Sequence, residues 1–500
     1  MTYTADAVGV LERVELRRVA TAQGLNPQRR AQLGQFFTPA PVAAFLASMF
    51  DVLGRPARLL DPGAGVGSLT AAVVERWAVE GGGPIDATAF EVDPAVASSL
   101  RLTCEELSGV EGCRADAIEA DFVAYAARSL QPGLFDGALE PFDLVVMNPP
   151  YGKIAAASGE RRQVRAVGVD VGNLYTAFVA LSVRLLAEGG QLVAITPRSF
   201  ANGPYFRAFR KDLLRHGSFK RLHVYDSRDV AFGDGDVLQE NVIFRLDRTT
   251  RRGRVLVSAS HGPDRATSRE RLVMHDELVR PNDPELFIHV TVDDDEADIA
   301  QQMAAQPATL ADLGLTVSTG RVVDFRAREH LRAGPTDTSV PLIYPGHLRD
   351  GRVLWPQPTG RKPNAIEACE ATASLLVPNE TYVLTKRFTS KEERRRVVAC
   401  IASPDDIPGE LVGFENHTNV IHCRWRGLDP DLAWGLSLYL NSTMVDRAFR
   451  QFSGHTQVNA TDLRKLRYPR GETLRLLGRL CNASRPEQDR IDALIEEHLG

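Results

Sequence analysis

Asn148-Pro149-Pro150-Tyr151 closes the strand-like run Phe142–Met147. Its residue types suit one task, the holding of a planar amino group. The Asn148 side-chain oxygen and the Pro149 carbonyl can accept the two hydrogens of an exocyclic –NH2. The prolines fix φ and donate no N–H, so both acceptors sit in a stiff frame. Tyr151 adds a flat face on which a flat substrate can stack. A Pro-rich strand exit closed by an aromatic would look the same in isolation, so the surrounding segments carry the weight.

The first of these is Leu59-Leu60-Asp61-Pro62-Gly63-Ala64-Gly65-Val66-Gly67-Ser68, which joins a strand to a helix. Glycines at 63, 65 and 67 allow a tight turn and a close approach of ligand to backbone. A dinucleotide fingerprint would place its third glycine at 68, where serine stands. An acid at 61 ahead of the turn suits a cationic amino-acid moiety better than a pyrophosphate. The next strand ends Ala89-Phe90-Glu91-Val92-Asp93-Pro94. Glu91, at a strand end, can accept from both hydroxyls of a ribose. Asp93 reads as a helix N-cap with Pro94 at the first helical position. Ala120-Asp121-Phe122 falls where a third strand should end. There Asp121 can accept from an adenine amino group while Phe122 stacks on the ring.

Alternating elements must position these residues. Apolar spacing predicts helices at Val8–Ala22 and from Pro41 to Met49, then strand Ala57–Leu60, helix Ser68–Val79, strand Ala87–Glu91 and helix Pro94–Glu106. Strand Phe142–Met147, helix Asn173–Leu186, strand Gly190–Ile195, helix Tyr205–His216 and strands Arg221–Tyr225 and Asn241–Leu246 follow. That alternation predicts an α/β fold, a doubly wound and mostly parallel sheet with helices on both faces. The Arg- and Thr-rich run from Asp247 to Arg254 reads as a domain junction, giving domains at 1–250 and 251–500. The second half holds shorter strand-like pieces, basic clusters and a helical pair at Asp431–Asn441 and Thr443–Phe452.

Composition excludes several classes. The 500 residues are 44% hydrophobic and 25% charged, ordinary for two or three globular domains. A net charge of −5 gives no global basic field, so contact with nucleic acid must rest on local patches. The six cysteines form no C-x-x-C pair, and the eleven histidines show no metal spacing. No metal is expected. Without an apolar run near the ~18 residues of a membrane span, a cytoplasmic protein is expected.

Together these segments resemble the S-adenosylmethionine-dependent N6-adenine DNA methyltransferases of the gamma class, typified by the TaqI enzyme. The resemblance runs from Gly34 to about Leu246 and more loosely to Pro469. It implies a class I methyltransferase, Rossmann-like fold followed by an α+β target-recognition domain. Within Gly34-Gln35-Phe36-Phe37-Thr38-Pro39, Thr38 and Pro39 would flank the methionine part of the cofactor. Asp61, Gly63 and Gly65 match its amino-acid loop, Glu91 its ribose acid, and Asp121 and Phe122 its adenine contacts. Asn148, Pro149, Pro150 and Tyr151 match the catalytic tetrapeptide. Tyr151 and Phe232, from Val230-Ala231-Phe232, would stack on a flipped target base.

In the second half, Tyr382 to Phe388 and Ser453 to Ala460 are similar to the recognition region of the same enzymes. Lys386, Arg387, Arg394 and Arg395 are candidate phosphate clamps, although a solvated charged helix through Glu392 and Glu393 fits the same run. The expected protein is the monomeric modification enzyme of a type II restriction-modification system. It would act on double-stranded DNA, with a cognate endonuclease encoded separately. Two alternatives stay open: a subunit of a larger restriction or phage-defence complex, and a methyltransferase for RNA or for a protein glutamine.

Overall fold

The run Leu144–Met147 is apolar without alternation because both faces of its strand are covered. Val145 and Met147 belong to one core cluster and Leu144 and Val146 to the other. This computed structural model describes residues 9–25, 36–131, 140–155, 157–225, 241–262, 268–281, 283–292, 294–357, 362–389, 393–452, 457–481 and 485–499. Among the described residues no helix is long and apolar enough to cross a membrane.

The chain forms two compact units, 1–292 and 293–500. In the first, helices α1 (Val10–Gly24), α2 (Ala40–Ala47), α3 (Ser68–Val79) and α4 (Pro94–Ser108) cover one face of the sheet. Helices α5 (Phe122–Ser129), α6 (Gly159–Ala166), α7 (Leu174–Leu185) and α8 (Arg207–His216) cover the other. The strands are β1 (Ala57–Asp61), β2 (Ile85–Glu91), β3 (Cys113–Glu119), β4 (Phe142–Met147), β5 (Leu186–Pro197), β6 (Ser218–Tyr225), β7 (Asn241–Asp247), β8 (Arg254–Ser260) and β9 (Arg269–Met274). Their order is β3-β2-β1-β4-β5-β7-β6-β8-β9. The first five are mutually parallel, β7 is antiparallel to both its neighbours, and β8 runs parallel to β6. The α/β, mostly parallel arrangement expected from the sequence is therefore present.

The domain junction is not where the Arg- and Thr-rich run suggested. Residues 248–253 are a surface connection from β7 to β8, and β8 pairs with β6 from Arg221↔Leu256 to Tyr225↔Ser260. That pairing covers what would be an open edge of β6, so the first unit extends to Val292 rather than ending at 250.

The site is set by register. Asp61 lies opposite Ala89 on β2, and Glu91 opposite Glu119 on β3. The carboxyl ends of β1 to β4 thus share one edge, and the strand order reverses between β1 and β4. In open α/β sheets that crevice is where ligands bind.

The second unit is α+β. A six-stranded sheet runs β10 (Thr316–Thr319), β20 (Thr418–His422), β17 (Tyr382–Lys386), β18 (Ala399–Ala402), β14 (Arg352–Val353) and β13 (Leu348–Arg349). A five-stranded sheet runs β11 (Leu331–Arg332), β15 (Ala365–Glu367), β12 (Ser339–Ile343), β19 (Leu411–Phe414) and β16 (Leu376–Pro378). Helices α9 (Asp294–Ala305), α10 (Pro430–Leu440), α11 (Thr443–Phe452), α12 (Ala460–Lys465), α13 (Gly471–Leu480) and α14 (Gln488–Leu499) complete it. Helices α10 and α13 touch backbone to backbone. A Cβ on Gly435 would stand 1.7 Å from the Leu474 carbonyl, and one on Gly478 1.8 Å from that of Asp431.

Candidate active site

Between β1 and α3 the chain must reverse within a few residues. Gly65 has φ +58° and Gly67, the residue before α3, has φ +90°, both in the region that disfavours a Cβ. A Cβ on Gly65 would also lie 3.0 Å from the Phe37 ring, so bare backbone here lets the 36–39 segment close on the turn. Beneath it Asp61 is wholly buried. Its Oδ2 accepts from the Thr70 hydroxyl at 2.8 Å, while Oδ1 has no hydrogen-bond partner among the described residues. Burial pushes the Asp61 carboxyl up to about 7, with the Thr70 hydroxyl and the Gly63 and Thr70 N–H groups offsetting part of that cost.

Glu91, at the end of β2, ties the turn to the next strand exit. Its Oε2 accepts from the Gly65 N–H at 3.1 Å and its Oε1 from the Asp93 N–H at 2.8 Å. Burial raises this carboxyl as well. Asp93 caps α4 through the Ala95 N–H with Pro94 following, as the sequence predicted. Asp121 caps α5: its Oδ1 accepts from Val123 N at 2.8 Å and Ala124 N at 3.3 Å. Its other oxygen makes no hydrogen bond among the described residues. Phe122 is buried, edge-on to Phe90 at 5.6 Å and tilted against Phe178 at 5.2 Å.

These strand exits enclose a cavity of about 220 Å3. Of the residues expected to hold a cofactor, Gly63, Gly65, Glu91, Asp121 and Phe122 line it. Asp61 lies beneath the turn, and Thr38 and Pro39 stand aside: Pro39 precedes α2, and Thr38 bonds to Asn148. The sequence reading missed Phe90, Phe178 and Glu160, which also line the cavity. Phe178 sits one turn after Leu174 on α7, where helical spacing marks it only as core.

Asn148 borders the same cavity. Its Nδ2 donates to the Phe36 carbonyl at 2.9 Å and to Thr38 Oγ1 at 3.1 Å, and its Oδ1 accepts from the Tyr151 hydroxyl at 3.2 Å. Tyr151 lies 5.7 Å from the Phe36 ring and edge-on to Tyr175 at 6.3 Å. Burial holds its phenol well above the usual range, so it stays a neutral donor. Phe232 lies outside the described residues.

In the second unit the basic run divides. Lys386 ends β17 and Arg394 is exposed. Arg387 donates to the Asn416 carbonyl at 3.2 Å, and Arg395 to Thr443 Oγ1 at 3.3 Å. Arg396 is fully buried: its backbone N–H meets Asp446 at 2.6 Å and its guanidinium the Thr389 carbonyl. Residues 393–398 are not helical. Asn459 closes a capping box with Asp462 at the start of α12.

Comparison with known proteins agrees with this architecture. The Eco57I restriction-modification methylase family model matches residues 114–231, a span that includes Asn148 to Tyr151. The type II methyltransferase M.PstI of Providencia stuartii is 42% identical over 97% of this chain and 96% of its own. M.BsuBI of Bacillus subtilis is 41% identical over 98% of each. The structure of the type IIL restriction-modification enzyme MmeI, solved in complex with DNA, shares the fold at 11% identity. Its TM-score is 0.53, over 95% of this chain and 68% of MmeI. On the identity to M.PstI and M.BsuBI across nearly the whole of each chain, this protein belongs to the type II methyltransferases of restriction-modification systems.

Proposed function

We propose that the protein is a site-specific DNA methyltransferase that moves a methyl group from S-adenosylmethionine to N6 of an adenine swung out of double-stranded DNA. It would serve as the modification enzyme of a type II system, beside a separately encoded endonuclease. The observation that carries this reading is the orientation of the Asn148 amide. Both Nδ2 hydrogens face fixed oxygens, so Oδ1 is the end left to receive an amine.

The cavity residues fit the cofactor. Beneath the turn that lines the cavity, Asp61 Oδ1, a buried oxygen without a partner among the described residues, suits the ammonium of an amino-acid moiety. Glu91 suits ribose hydroxyls, and Asp121 with Phe122 an adenine. Bound there, the cofactor supplies a methyl on a cationic sulfur that leaves as a neutral thioether. The chain's own contribution is positioning and charge. Asn148 Oδ1 and the Pro149 carbonyl accept the N6 hydrogens, which favours a tetrahedral nitrogen with its lone pair free for the new C–N bond. The extra N6 proton is then shed to water. Swinging the base out costs a few kcal/mol, and stacking on Tyr151 and Phe232 returns ~1–3 kcal/mol per base. Lys386, Arg387, Arg394 and Arg395 are proposed to meet DNA phosphates, with exposed Arg394 the least committed to contacts within the chain.

A tritiated-methyl assay on the purified chain, offered duplex DNA, RNA and protein, tests the reading, with digestion of the product to nucleosides. N6-methyladenine from duplex DNA supports it; label on cytosine, RNA or protein overturns it. Asn148→Ala should bind cofactor normally and lose turnover by orders of magnitude.

A further inference from the structure

A carboxamide has two ends of nearly equal size and opposite function, one accepting and one donating. The torsion that exchanges them is soft. An asparagine that must present its oxygen to an amine therefore needs its surroundings to choose the flip. Around Asn148 that choice comes from far away in sequence. The Phe36 carbonyl can only accept, and it faces Nδ2 at 2.9 Å. Thr38 Oγ1 takes the second hydrogen at 3.1 Å, from a residue that is itself 5% exposed. Exchanging the ends would set Oδ1 against the Phe36 carbonyl and place the amino group where Tyr151 now donates.

We propose that Thr38 is a positioning residue for the transfer. With the Phe36 carbonyl it fixes the Asn148 amide so that Oδ1 faces the substrate amine. The proposal rests on the functional reading above and gives Thr38 a different role from the cofactor contact implied by resemblance. Its hydroxyl lies on Asn148, not on the cavity wall. Phe37, the residue between the two anchors, packs on Gly65, so the segment that orients the amide is seated on the glycine turn.

The test compares Thr38→Val, which keeps the shape and removes the acceptor, with Thr38→Ser, which keeps it. Thr38→Val should lower kcat about ten-fold, the rate equivalent of one net hydrogen bond. KM for DNA, cofactor Kd and melting temperature should stay within about two-fold or a few degrees of wild type. Thr38→Ser should recover most of kcat. In crystals of ligand-free Thr38→Val the Asn148 amide plane should turn away from its wild-type orientation. Unchanged kcat with an unturned amide overturns the proposal. A raised cofactor Kd at constant kcat also overturns it, in favour of direct cofactor contact, and a loss of melting temperature that serine fails to rescue does so in favour of a purely structural role. If the wild type methylates another acceptor, the same comparison on that acceptor still judges Thr38, so the two readings fail separately.

Discussion

Asp61 and Glu415 are both carboxylates with no exposed surface, one in each unit, and their surroundings differ in one respect. Both oxygens of Glu415 are engaged by His417: Oε2 accepts from its backbone N–H at 3.0 Å and Oε1 meets ring Nδ1 at 2.5 Å. A carboxylate only accepts, so Nδ1 carries the proton in that contact. Asp61 has the Thr70 hydroxyl on Oδ2, the Gly63 and Thr70 N–H groups near enough to favour its charge, and no hydrogen-bond partner on Oδ1 among the described residues. A buried acceptor left unpaired costs about 1–3 kcal/mol. In the function proposed above, a ligand completes it. Burial alone thus does not separate a structural acid from a binding one; the count of satisfied oxygens does.

That contrast breaks first at Asp61→Ala. Cofactor Kd should rise about 100-fold, the equivalent of a charge-assisted contact of ~3 kcal/mol. The ligand-free melting temperature should hold within about 2 °C. A large loss of melting temperature at unchanged Kd, by calorimetry and thermal denaturation, would make Asp61 a second Glu415. Next, Glu415→Ala should destabilise the protein by about 2 kcal/mol in urea, because His417 loses its acceptor, and leave cofactor Kd unchanged.

The pH dependence sharpens the comparison further. The folded pKa of Asp61, about 7, lies above its ordinary value of 3.8. Its neutral form is the one the fold favours, so its contribution to stability is complete below about pH 4 and is lost as pH rises through about 7. An ammonium ligand needs the ionised form. Below about pH 7 cofactor Kd should therefore weaken towards ten-fold per pH unit, with that limb removed in Asp61→Asn. Calorimetry between about pH 5.5 and 8 reads both. The smallest effect belongs to Thr70→Val, which removes the hydroxyl on Oδ2 and should move the limb upward by at most about one pH unit. No movement would mean that the Gly63 and Thr70 N–H groups hold the carboxylate without it.

Legibility followed sequence distance. Ser68–Val79, Phe142–Met147 and Thr443–Phe452 are bounded as the sequence predicted, because each is set by its own apolar spacing and flanking turn or cap residues. The Asp93–Pro94 cap needed only adjacent residues. The boundary at 250 failed for the opposite reason. Whether a polar run ends a domain depends on what pairs with β6, and nothing in residues 247–254 records that β8 returns to it. The basic run shows the same limit: the Thr443 hydroxyl that accepts from Arg395 and the Asp446 carboxylate that accepts from the Arg396 backbone N–H lie about fifty residues away, on α11.

Sequence by itself determined the candidate groups and their frame: the acid at 61, the glycine turn, Glu91 and the Asn148–Tyr151 tetrapeptide. These are local matters of residue type, φ and periodicity. Tertiary structure decided what those groups can do. It left Asp61 Oδ1 unpaired among the described residues, closed Phe90, Phe122 and Phe178 into one wall, and brought Phe36 and Thr38 across more than a hundred residues to the Asn148 amide. The reason is physical. Hydrogen-bond satisfaction and side-chain orientation are properties of neighbours in space, and only the folded sheet makes these residues neighbours.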